Sequence, residues 1–308
     1  MVYPPPCAGG APNNFAEYCM VHHRRGIVVA TVSEAGHLWG WQSLAELSLA
    51  PPPPPRPLTE IWFADLAGFD ALLAPPDALR SLTDDERQRA ERMAAPGVRV
   101  DFLLSRLLLR RVLGVRCGVP GARLEFTLNP HGKPALAGEG GTSPGGSGRL
   151  RPHFNLAHSR GAWLLGVSSS AAIGVDIERP RRVDGALRLA DRVFTAAERR
   201  ALRAAMREDG DGRDPAAAVL AAAVRDSLFL RCWTRKEAVL KALGSGFAAP
   251  AGDIEVSTDA QPRRVPVPHG ACAEVRVASL ELPVAGFAAW ALQGGGEFPP
   301  LRCYRLRP

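Results

Sequence analysis

The stretch AIGVDIE, residues 172–178, decides the fold around it, because it combines a buried strand with two acidic side chains. Its aliphatic residues alternate with Gly174, Asp176 and Glu178, and successive side chains of a strand point to opposite faces. The aliphatic side chains are therefore predicted to enter a core, while both carboxylates project from the other face. Two neighbouring carboxylates repel each other unless a cation lies between them. The pattern predicts either a cation site or a solvated polar face balanced by the arginines that follow it.

A long helix is predicted further along the chain, over SLFLRCWTRKEAVLKAL (227–243), with Gly244 at its end. Trp233, Glu237 and Lys241 follow one another at intervals of four residues, which places them in one stripe of a helix. The stripe predicts either a third carboxylate with a nearby cation, or a packed tryptophan beside an ordinary surface ion pair.

Lysine is rare in this chain. Of its 38 basic residues only Lys133, Lys236 and Lys241 are lysines, and the rest are arginines. Such a bias is typical of a GC-rich genome that replaces lysine wherever either residue serves. We therefore expect the three lysines to mark positions that need a compact ammonium group rather than a planar guanidinium.

The remaining pattern predicts helices and antiparallel strands in both parts of the chain. Two capping boxes, Thr83 with Glu86 and Thr195 with Glu198, each begin a helix, and Gly114 is predicted to end the helix over 101–114. Strands are predicted over 60–66, 124–128, 153–159, 162–168, 253–257, 273–282, 286–292 and 301–306. No βαβ rhythm and no phosphate-binding glycine motif occurs, which disfavours Rossmann and P-loop folds.

The first 57 residues differ in composition from the rest. We predict that 1–57 is a disordered, Pro/Gly-rich extension, with a short helix over 38–49 and a stiff proline linker over 51–55. Residues 58–168 are predicted to form an N-terminal α+β half, and 169–308 a C-terminal α+β half with the acidic motifs. A flexible loop is expected over the Gly/Ser-rich stretch 138–148.

Composition restricts the class of protein. The chain has 308 residues, 46% of them hydrophobic, and no apolar run long enough for a membrane span. Six scattered cysteines without a CxxC pair favour a reducing compartment, so we expect a cytoplasmic protein. The net charge of +7 allows an arginine-rich nucleic-acid-binding protein as an alternative, but aromatic residues make up only 6% and no nucleic-acid-binding motif is present.

Five segments resemble one enzyme family when they are taken in order. GVDIE (174–178) and WTRKEAVLKALGSG (233–246) are similar to the two signature motifs of the 4′-phosphopantetheinyl transferases of the larger, Sfp-type branch. The upstream helix FLLSRLLLRR, the turn GKP and the strand FNLAHS (154–159) agree in kind and order.

The resemblance implies a reaction and an architecture. The reaction is the Mg²⁺-dependent transfer of phosphopantetheine from coenzyme A to a serine of an apo acyl or peptidyl carrier protein, with release of 3′,5′-ADP. Fatty-acid, polyketide and nonribosomal-peptide carriers are small acidic helical domains that suit a basic enzyme. The architecture is an α+β monomer whose two similar halves form a pseudo-dimer. A non-catalytic protein of the same fold, or another Mg²⁺-dependent phosphoryl transferase, is the alternative.

The resemblance also implies roles for single residues. Asp176, Glu178 and Glu237 would bind Mg²⁺, and Glu237 would also take the proton of the accepting serine. Lys241 would contact the diphosphate of coenzyme A.

The nucleotide end of coenzyme A would be bound by Lys133, His158 and Arg106. Two positions depart from the family pattern, since Ala157 replaces the serine usual before the histidine and Asp101 replaces a basic residue. Both departures bear on the binding of coenzyme A rather than on the metal chemistry.

Overall fold

The computed structural model describes residues 18–23, 26–31, 39–44, 47, 59–137, 152–205, 215–246, 251–268 and 272–308. Within them the chain is a mixed α+β protein, as predicted. Its strands are β1 Tyr18–His23, β2 Gly26–Thr31, β3 Trp39–Ser43, β4 Thr59–Asp65, β5 Phe126–Leu128, β6 Pro134–Leu136, β7 His153–Ser159, β8 Ala162–Ser168, β9 Ile173–Glu178, β10 Arg263–Pro266, β11 Glu274–Leu280, β12 Phe287–Gln293 and β13 Leu301–Arg307. Its α-helices are α1 Asp84–Glu91, α2 Pro96–Cys117, α3 Ala186–Val193, α4 Ala196–Ala204 and α5 Pro215–Leu243.

Two larger sheets carry most of the strands. Sheet 1 has the order β3-β13-β4-β8-β7, and sheet 2 has the order β10-β11-β12-β9. Neighbouring strands are antiparallel except that β13 runs parallel to both β3 and β4. The last strand of the chain therefore pairs with the first strands of sheet 1, although it falls in the predicted C-terminal half.

Each sheet is covered on one face by a long helix. One apolar core lies between sheet 1 and α2, and a second lies between sheet 2 and α5. A third core takes side chains from both sheets and joins them. The joint is also polar, since the buried Asn155 of β7 accepts a hydrogen bond from the backbone N–H of Val175 in β9 at 2.8 Å.

Strand β9 follows the alternation that its sequence predicts. Ile173, Val175 and Ile177 lie in the core shared by the two sheets, so the remaining residues face α5. Gly174 allows the closest approach of strand and helix, because a Cβ atom there would lie 2.0 Å from the carbonyl oxygen of Ala238. This contact places the acidic face of β9 directly against α5.

The two long helices share a local arrangement around a buried cation. In α2, Arg110 donates to the carboxylate of the capping-box residue Glu86 at 2.8 Å, and also to the carbonyls of Gly121 and Leu124 at 2.8 and 3.1 Å. The Glu86 carboxylate in turn caps α1 at Thr83. A single side chain thus joins two helices and the loop that follows them.

In α5 the corresponding cation is Lys236. Its Nζ lies 2.9 Å from the carboxylate of Glu198, which belongs to the second capping box, and it donates to the carbonyls of Ala251 and Ile254. Both cations stand seven residues before the last residue of their helix. Both helices are followed by a glycine of positive φ, 65° at Gly118 and 71° at Gly244.

Several elements agree with the sequence predictions. Both capping boxes form, β7 and β8 are an antiparallel pair, and α5 ends at Leu243, immediately before Gly244. No helix within the described residues is long and apolar enough to cross a membrane. The predicted loop over 138–148 and the proline run 51–55 lie outside the described residues.

Two predictions about elements beyond residue 57 are wrong. Gly114 does not end its helix, since α2 continues to Cys117. Gly114 instead lets the backbone of 119–121 pack against the helix. Residues 253–257 are not a strand, because the backbone N–H and C=O of Val256 are bonded to the side chains of Glu198 and Arg235 rather than to a neighbouring strand.

The N-terminal region also differs from its prediction. Trp39–Ser43 is a strand of sheet 1 rather than part of a helix, and the buried Trp39 donates through its indole N–H to the carbonyl of Glu281 at 2.7 Å. The strands Tyr18–His23 and Gly26–Thr31 also fall within 1–57. These segments of the extension have strand structure where disorder was predicted.

Candidate active site

Asp176 is the central acidic residue of the site. It lies on the face of β9 that packs against α5, and it is buried. Its Oδ1 accepts a hydrogen bond from Lys241 Nζ at 2.6 Å, while its Oδ2 is buried and has no hydrogen-bonding partner. Burial raises the pKa of Asp176 to about 7, with the charge of Lys241 acting against this rise and those of Glu237 and Glu178 adding to it. The site is thus short of positive charge.

Glu237 approaches the same region from the helix. It is half-buried on α5, one turn before Lys241, and burial raises its pKa. The charge of Lys241 opposes this rise and that of Glu178 adds to it, so the carboxylates interact electrostatically across the strand–helix interface. The two acidic motifs, far apart in sequence, therefore converge.

Glu178 is held at the end of β9 by Ser159, which the sequence did not single out, and by Arg181, one of the arginines that follow the strand. Its Oε2 accepts a hydrogen bond from the Ser159 hydroxyl at 2.9 Å, and Arg181 lies 3.3 Å from its Oε1. Ser159 also accepts from the backbone N–H of Arg179 at 3.4 Å. Its position at the end of FNLAHS, next to the predicted His158, was the available signal.

The three carboxylates do not form a ready-made metal cage. Within the described residues, no group of three histidine, cysteine or acidic side chains is close enough to hold a metal ion. The ammonium group of Lys241 lies where a cation would neutralise Asp176. The unpartnered Oδ2 of Asp176 is nevertheless an oxygen of the hard type that Mg²⁺ prefers, and its burial leaves it without solvent, so the donor set fits that ion.

Lys133 lies at the C-terminal end of α5. Its Nζ donates to the carbonyls of Ile173 and Ala242, at 3.1 and 3.5 Å. Asn129, in the same turn, donates through its side-chain amide to the carbonyl of Gly244 at 2.7 Å. The turn that carries Lys133 is therefore attached to the two elements that supply the acidic residues.

His158 is exposed on β7, and the alternation of the strand directs it to the face of sheet 1 that packs on α2, opposite to Ser159. The charge of His158 acts on Asp101 of α2, whose pKa burial raises and the histidine lowers. The structure thus places Asp101, one of the two departures from the family pattern, beside the predicted nucleotide contact.

Arg106 is engaged elsewhere. Its Nε lies 2.5 Å from the carboxylate of Glu86, and its guanidinium stacks over the ring of Phe126 at 5.0 Å. None of these contacts joins it to the acidic residues of β9 and α5. In the structure it serves the packing of α1 on α2.

Trp233 and Lys236 are structural residues of the motif on α5. Trp233 stacks on Phe229 with ring centroids 5.8 Å apart, and Phe229 stacks on Phe194 at 5.1 Å. Lys236 is 2% exposed and is bonded as described above. Of the stripe Trp233, Glu237 and Lys241, the last two line the site and the first attaches the helix to its neighbours.

Comparison with known proteins gives a consistent result. A family model described as the 4′-phosphopantetheinyl transferase superfamily matches residues 172–285, which include β9 and α5. The chain is 32% identical over 203 residues to a putative 4′-phosphopantetheinyl transferase of Synechocystis sp., covering 64% of this chain and 70% of the relative. It is 33% identical over 190 residues to the 4′-phosphopantetheinyl transferase HetI of Nostoc sp., covering 61% and 70%.

A third relative is more distant. The chain is 28% identical over 148 residues to the 4′-phosphopantetheinyl transferase psf-1 of Bacillus pumilus, covering 47% of this chain and 51% of the relative. The matched family model spans the strand and the helix whose carboxylates influence one another's pKa values. The chain belongs to the 4′-phosphopantetheinyl transferase superfamily.

Proposed function

We propose that this protein transfers the 4′-phosphopantetheine arm of coenzyme A to a serine of an apo acyl or peptidyl carrier protein, releasing 3′,5′-ADP. The observation that carries the proposal is the meeting of β9 and α5, where Lys241 bonds Asp176 and the charges of Glu178 and Glu237 raise the pKa of Asp176, in a chain of this superfamily. A buried carboxylate oxygen without a partner supports a cation at this place.

The three carboxylates would bind Mg²⁺, with the diphosphate of coenzyme A and water completing its ligands. When bound, Mg²⁺ neutralises the negative charge that develops on the diphosphate as the leaving group departs. Asp176 and Glu178 hold their oxygens in place through β9 and through the hydrogen bond from Ser159.

Lys241 and Glu237 would act on the reacting groups. The Lys241 ammonium bonds Asp176 in this structure. When substrate enters, the ammonium would also contact the diphosphate, so that one compact cation is shared between the carboxylate and the diphosphate. Glu237 would accept the proton of the serine hydroxyl as the serine Oγ–phosphorus bond forms and the bond to 3′,5′-ADP breaks.

The nucleotide end of coenzyme A would lie toward Lys133 and His158. Lys133 is attached to the start of β9, close to the acidic residues, whereas His158 lies on the side of β7 that faces α2. Arg106 would contribute only by leaving Glu86, and we assign it the smallest share of the binding energy. The carboxylate of Asp101 beside His158 would weaken the binding of a phosphate there.

We also infer that the chain consists of two similar α+β halves forming a pseudo-dimer. The buried cations of α2 and α5 occupy equivalent helix positions and bind equivalent capping-box glutamates, which supports a duplicated unit. When one half is superposed on the other, Arg110 of α2 would then occupy the position of Lys236 of α5. We also propose that the protein is a cytoplasmic monomer and that it binds no nucleic acid.

The decisive experiment is incubation of the protein with fluorescent coenzyme A and a panel of apo carrier proteins, with and without Mg²⁺. We expect one carrier serine to be labelled in a Mg²⁺-dependent reaction, with its position found by mass spectrometry. Glu237→Gln should remove labelling while the melting temperature stays unchanged. A protein that labels no carrier but retains DNA in a salt-sensitive manner would favour the nucleic-acid alternative instead.

A further inference from the structure

The strands β7 and β9 form the edges at which the two larger sheets meet, and side chains of β7 bond to the backbone of β9. The buried Asn155 accepts from the N–H of Val175 at 2.8 Å, and Ser159 accepts from the N–H of Arg179 at 3.4 Å. Both contacts join residues twenty positions apart, so the two strands run in the same direction with the same offset at both points. The position of Ser159 relative to the end of β9 is therefore fixed along the strand.

The turn that follows β7 holds Ser159 from its other side. A two-residue loop, Arg160 and Gly161, joins β7 to β8 with φ values of 48° and 77°. Positive values at both positions are typical of the type I′ turn, which fixes the register of a tight hairpin. The carbonyl of Gly161 accepts from the N–H of Leu66 at 2.8 Å, which attaches the turn to the end of β4. Ser159 thus stands at a corner that β4, β7 and β8 hold in place.

A second contact connects the same corner with the end of β9. Asp65, the last residue of β4, bonds the guanidinium of Arg179 at 2.8 Å. Arg179 is therefore engaged by a carboxylate other than Glu178. In the described part of the chain, the cation paired with Glu178 is Arg181, at 3.3 Å and with 31% of its side chain exposed. An arginine so accessible to solvent can be displaced by a cation that binds Glu178.

The hydroxyl of Ser159 has a defined direction. A serine hydroxyl carries one proton and two lone pairs. Because one lone pair accepts from the N–H of Arg179, the proton is directed to Glu178 Oε2, which lies 2.9 Å away. This donor is neutral, so it orients the carboxylate without cancelling its charge. Donors of this kind commonly orient the carboxylates that bind a metal ion.

We propose that Ser159 is a positioning residue, which holds the Glu178 carboxylate in one orientation before a cation binds. Sheet 1 would thereby contribute to the affinity of a site whose ligands lie on sheet 2 and α5. The inference rests on the proposed function, because it concerns the cation of the same site. A glutamate side chain has three rotatable bonds, and fixing them in advance lowers the entropic cost of binding.

The test compares variants at position 159 in the full-length protein. Mn²⁺ is the probe ion, in the presence of coenzyme A, and electron paramagnetic resonance measures its affinity. Ser159→Ala should weaken Mn²⁺ binding about tenfold, because the carboxylate loses the donor that orients it. Ser159→Thr keeps the hydroxyl and should bind Mn²⁺ as the wild type does. Ser159→Val has the shape of the threonine without the hydroxyl and should bind as weakly as Ser159→Ala.

The matched control is Ser257→Ala, in the segment before β10. Ser257 donates to the carboxylate of Asp259 at 2.7 Å and accepts from the N–H of Asp259 at 3.3 Å. It therefore makes the same two kinds of hydrogen bond as Ser159, with a carboxylate that has no part in the proposed site. Ser257→Ala should leave the affinity for Mn²⁺ unchanged.

A double-mutant cycle shows whether Ser159 acts through Glu178. In a Glu178→Gln protein, Ser159→Ala should weaken Mn²⁺ binding no further, because the carboxylate that it orients is already gone. An equal loss in both backgrounds would mean that Ser159 acts on another group, and it would overturn the positioning role.

The remaining outcomes separate the positioning role from the proposed function. Ser159→Ala or Ser159→Val with the Mn²⁺ affinity of the wild type overturns the positioning role alone. A wild-type protein that binds Mn²⁺ but labels no carrier contradicts the proposed function, while the Mn²⁺ series still decides the role of Ser159. A wild-type protein that binds no Mn²⁺ in the presence of coenzyme A overturns both. If Ser159→Ala lowers the melting temperature, the comparison of Ser159→Thr with Ser159→Val decides, and equal affinities in that pair are contradictory.

Discussion

Asp176 is charged at neutral pH only at a cost to the fold. The carboxyl group is buried, one of its oxygens has no partner, and its pKa lies at about 7 rather than near the ordinary 3.8. Burial is the main cause, and the neighbouring carboxylates add to it, while Lys241 offsets part of it. A residue that is costly to ionise in the empty site is one whose charge a bound cation would stabilise.

The pH dependence of stability tests this property. Between about pH 4 and pH 7 the folded protein keeps the Asp176 proton that the unfolded chain has lost, so the free energy of unfolding falls as pH rises. Asp176→Asn should remove this fall, making the metal-free variant more stable than wild type at pH 8 by up to a few kcal/mol. Urea denaturation in EDTA at pH 4 and pH 8 measures the difference. Equal pH dependence in both proteins would contradict the assignment.

Two lysines test whether a compact ammonium is needed. Lys236 is enclosed by Glu198 and two backbone carbonyls, so Lys236→Arg should overfill its pocket and lower the free energy of unfolding by about 1–3 kcal/mol.

Lys241 is more exposed, so Lys241→Arg should keep the stability and lower kcat. Thermal melting and carrier labelling measure both variants. If both arginine variants have the melting temperature and the labelling rate of the wild type, these two positions do not require a lysine.

At the scale of elements, the contact of β9 with α5 sets the distance between the acidic residues. Because the Cβ of an alanine at Gly174 would lie 2.0 Å from the Ala238 carbonyl oxygen, the helix must move away to accept it. Asp176 on the strand and Glu237 on the helix would then separate. The small residue at this position is thus a requirement of the site as well as of the packing.

Gly174→Ala should therefore lower the free energy of unfolding by about 1–3 kcal/mol and also reduce carrier labelling strongly. The matched control is Gly97→Ala in the first turn of α2, where an added Cβ meets nothing within 4 Å. That variant should label carriers normally and melt at or slightly above the wild-type temperature. Normal labelling by Gly174→Ala would show that strand and helix need not approach so closely.

Elements with strong local signals were predictable, and those decided by distant contacts were not. The capping boxes and the alternation in β9 depend on neighbouring residues, so the sequence alone indicates them. Residues 253–257 have the composition of a strand, but Glu198 and Arg235 bind the backbone of Val256. Trp39–Ser43 becomes a strand because β13, at the far end of the chain, pairs with it.

At the scale of the whole molecule, the site depends on how two sheets and two helices meet. The identities of the acidic residues and of Lys241 were predictable from motifs, whereas the Lys241–Asp176 contact, the role of Ser159 and the engagement of Arg106 by Glu86 were not. These contacts join residues that lie 19 or more positions apart, and no local pattern encodes them.

Three carboxylates from β9 and α5 are proposed to share one divalent ion. Titration of the wild-type protein with Mn²⁺ in the presence of coenzyme A, followed by electron paramagnetic resonance, measures this binding. We predict one bound ion per chain, with the affinity reduced more than about tenfold in both Asp176→Asn and Glu237→Gln, because each removes a charged ligand. Binding of equal stoichiometry and affinity in the wild type and both variants would contradict the account.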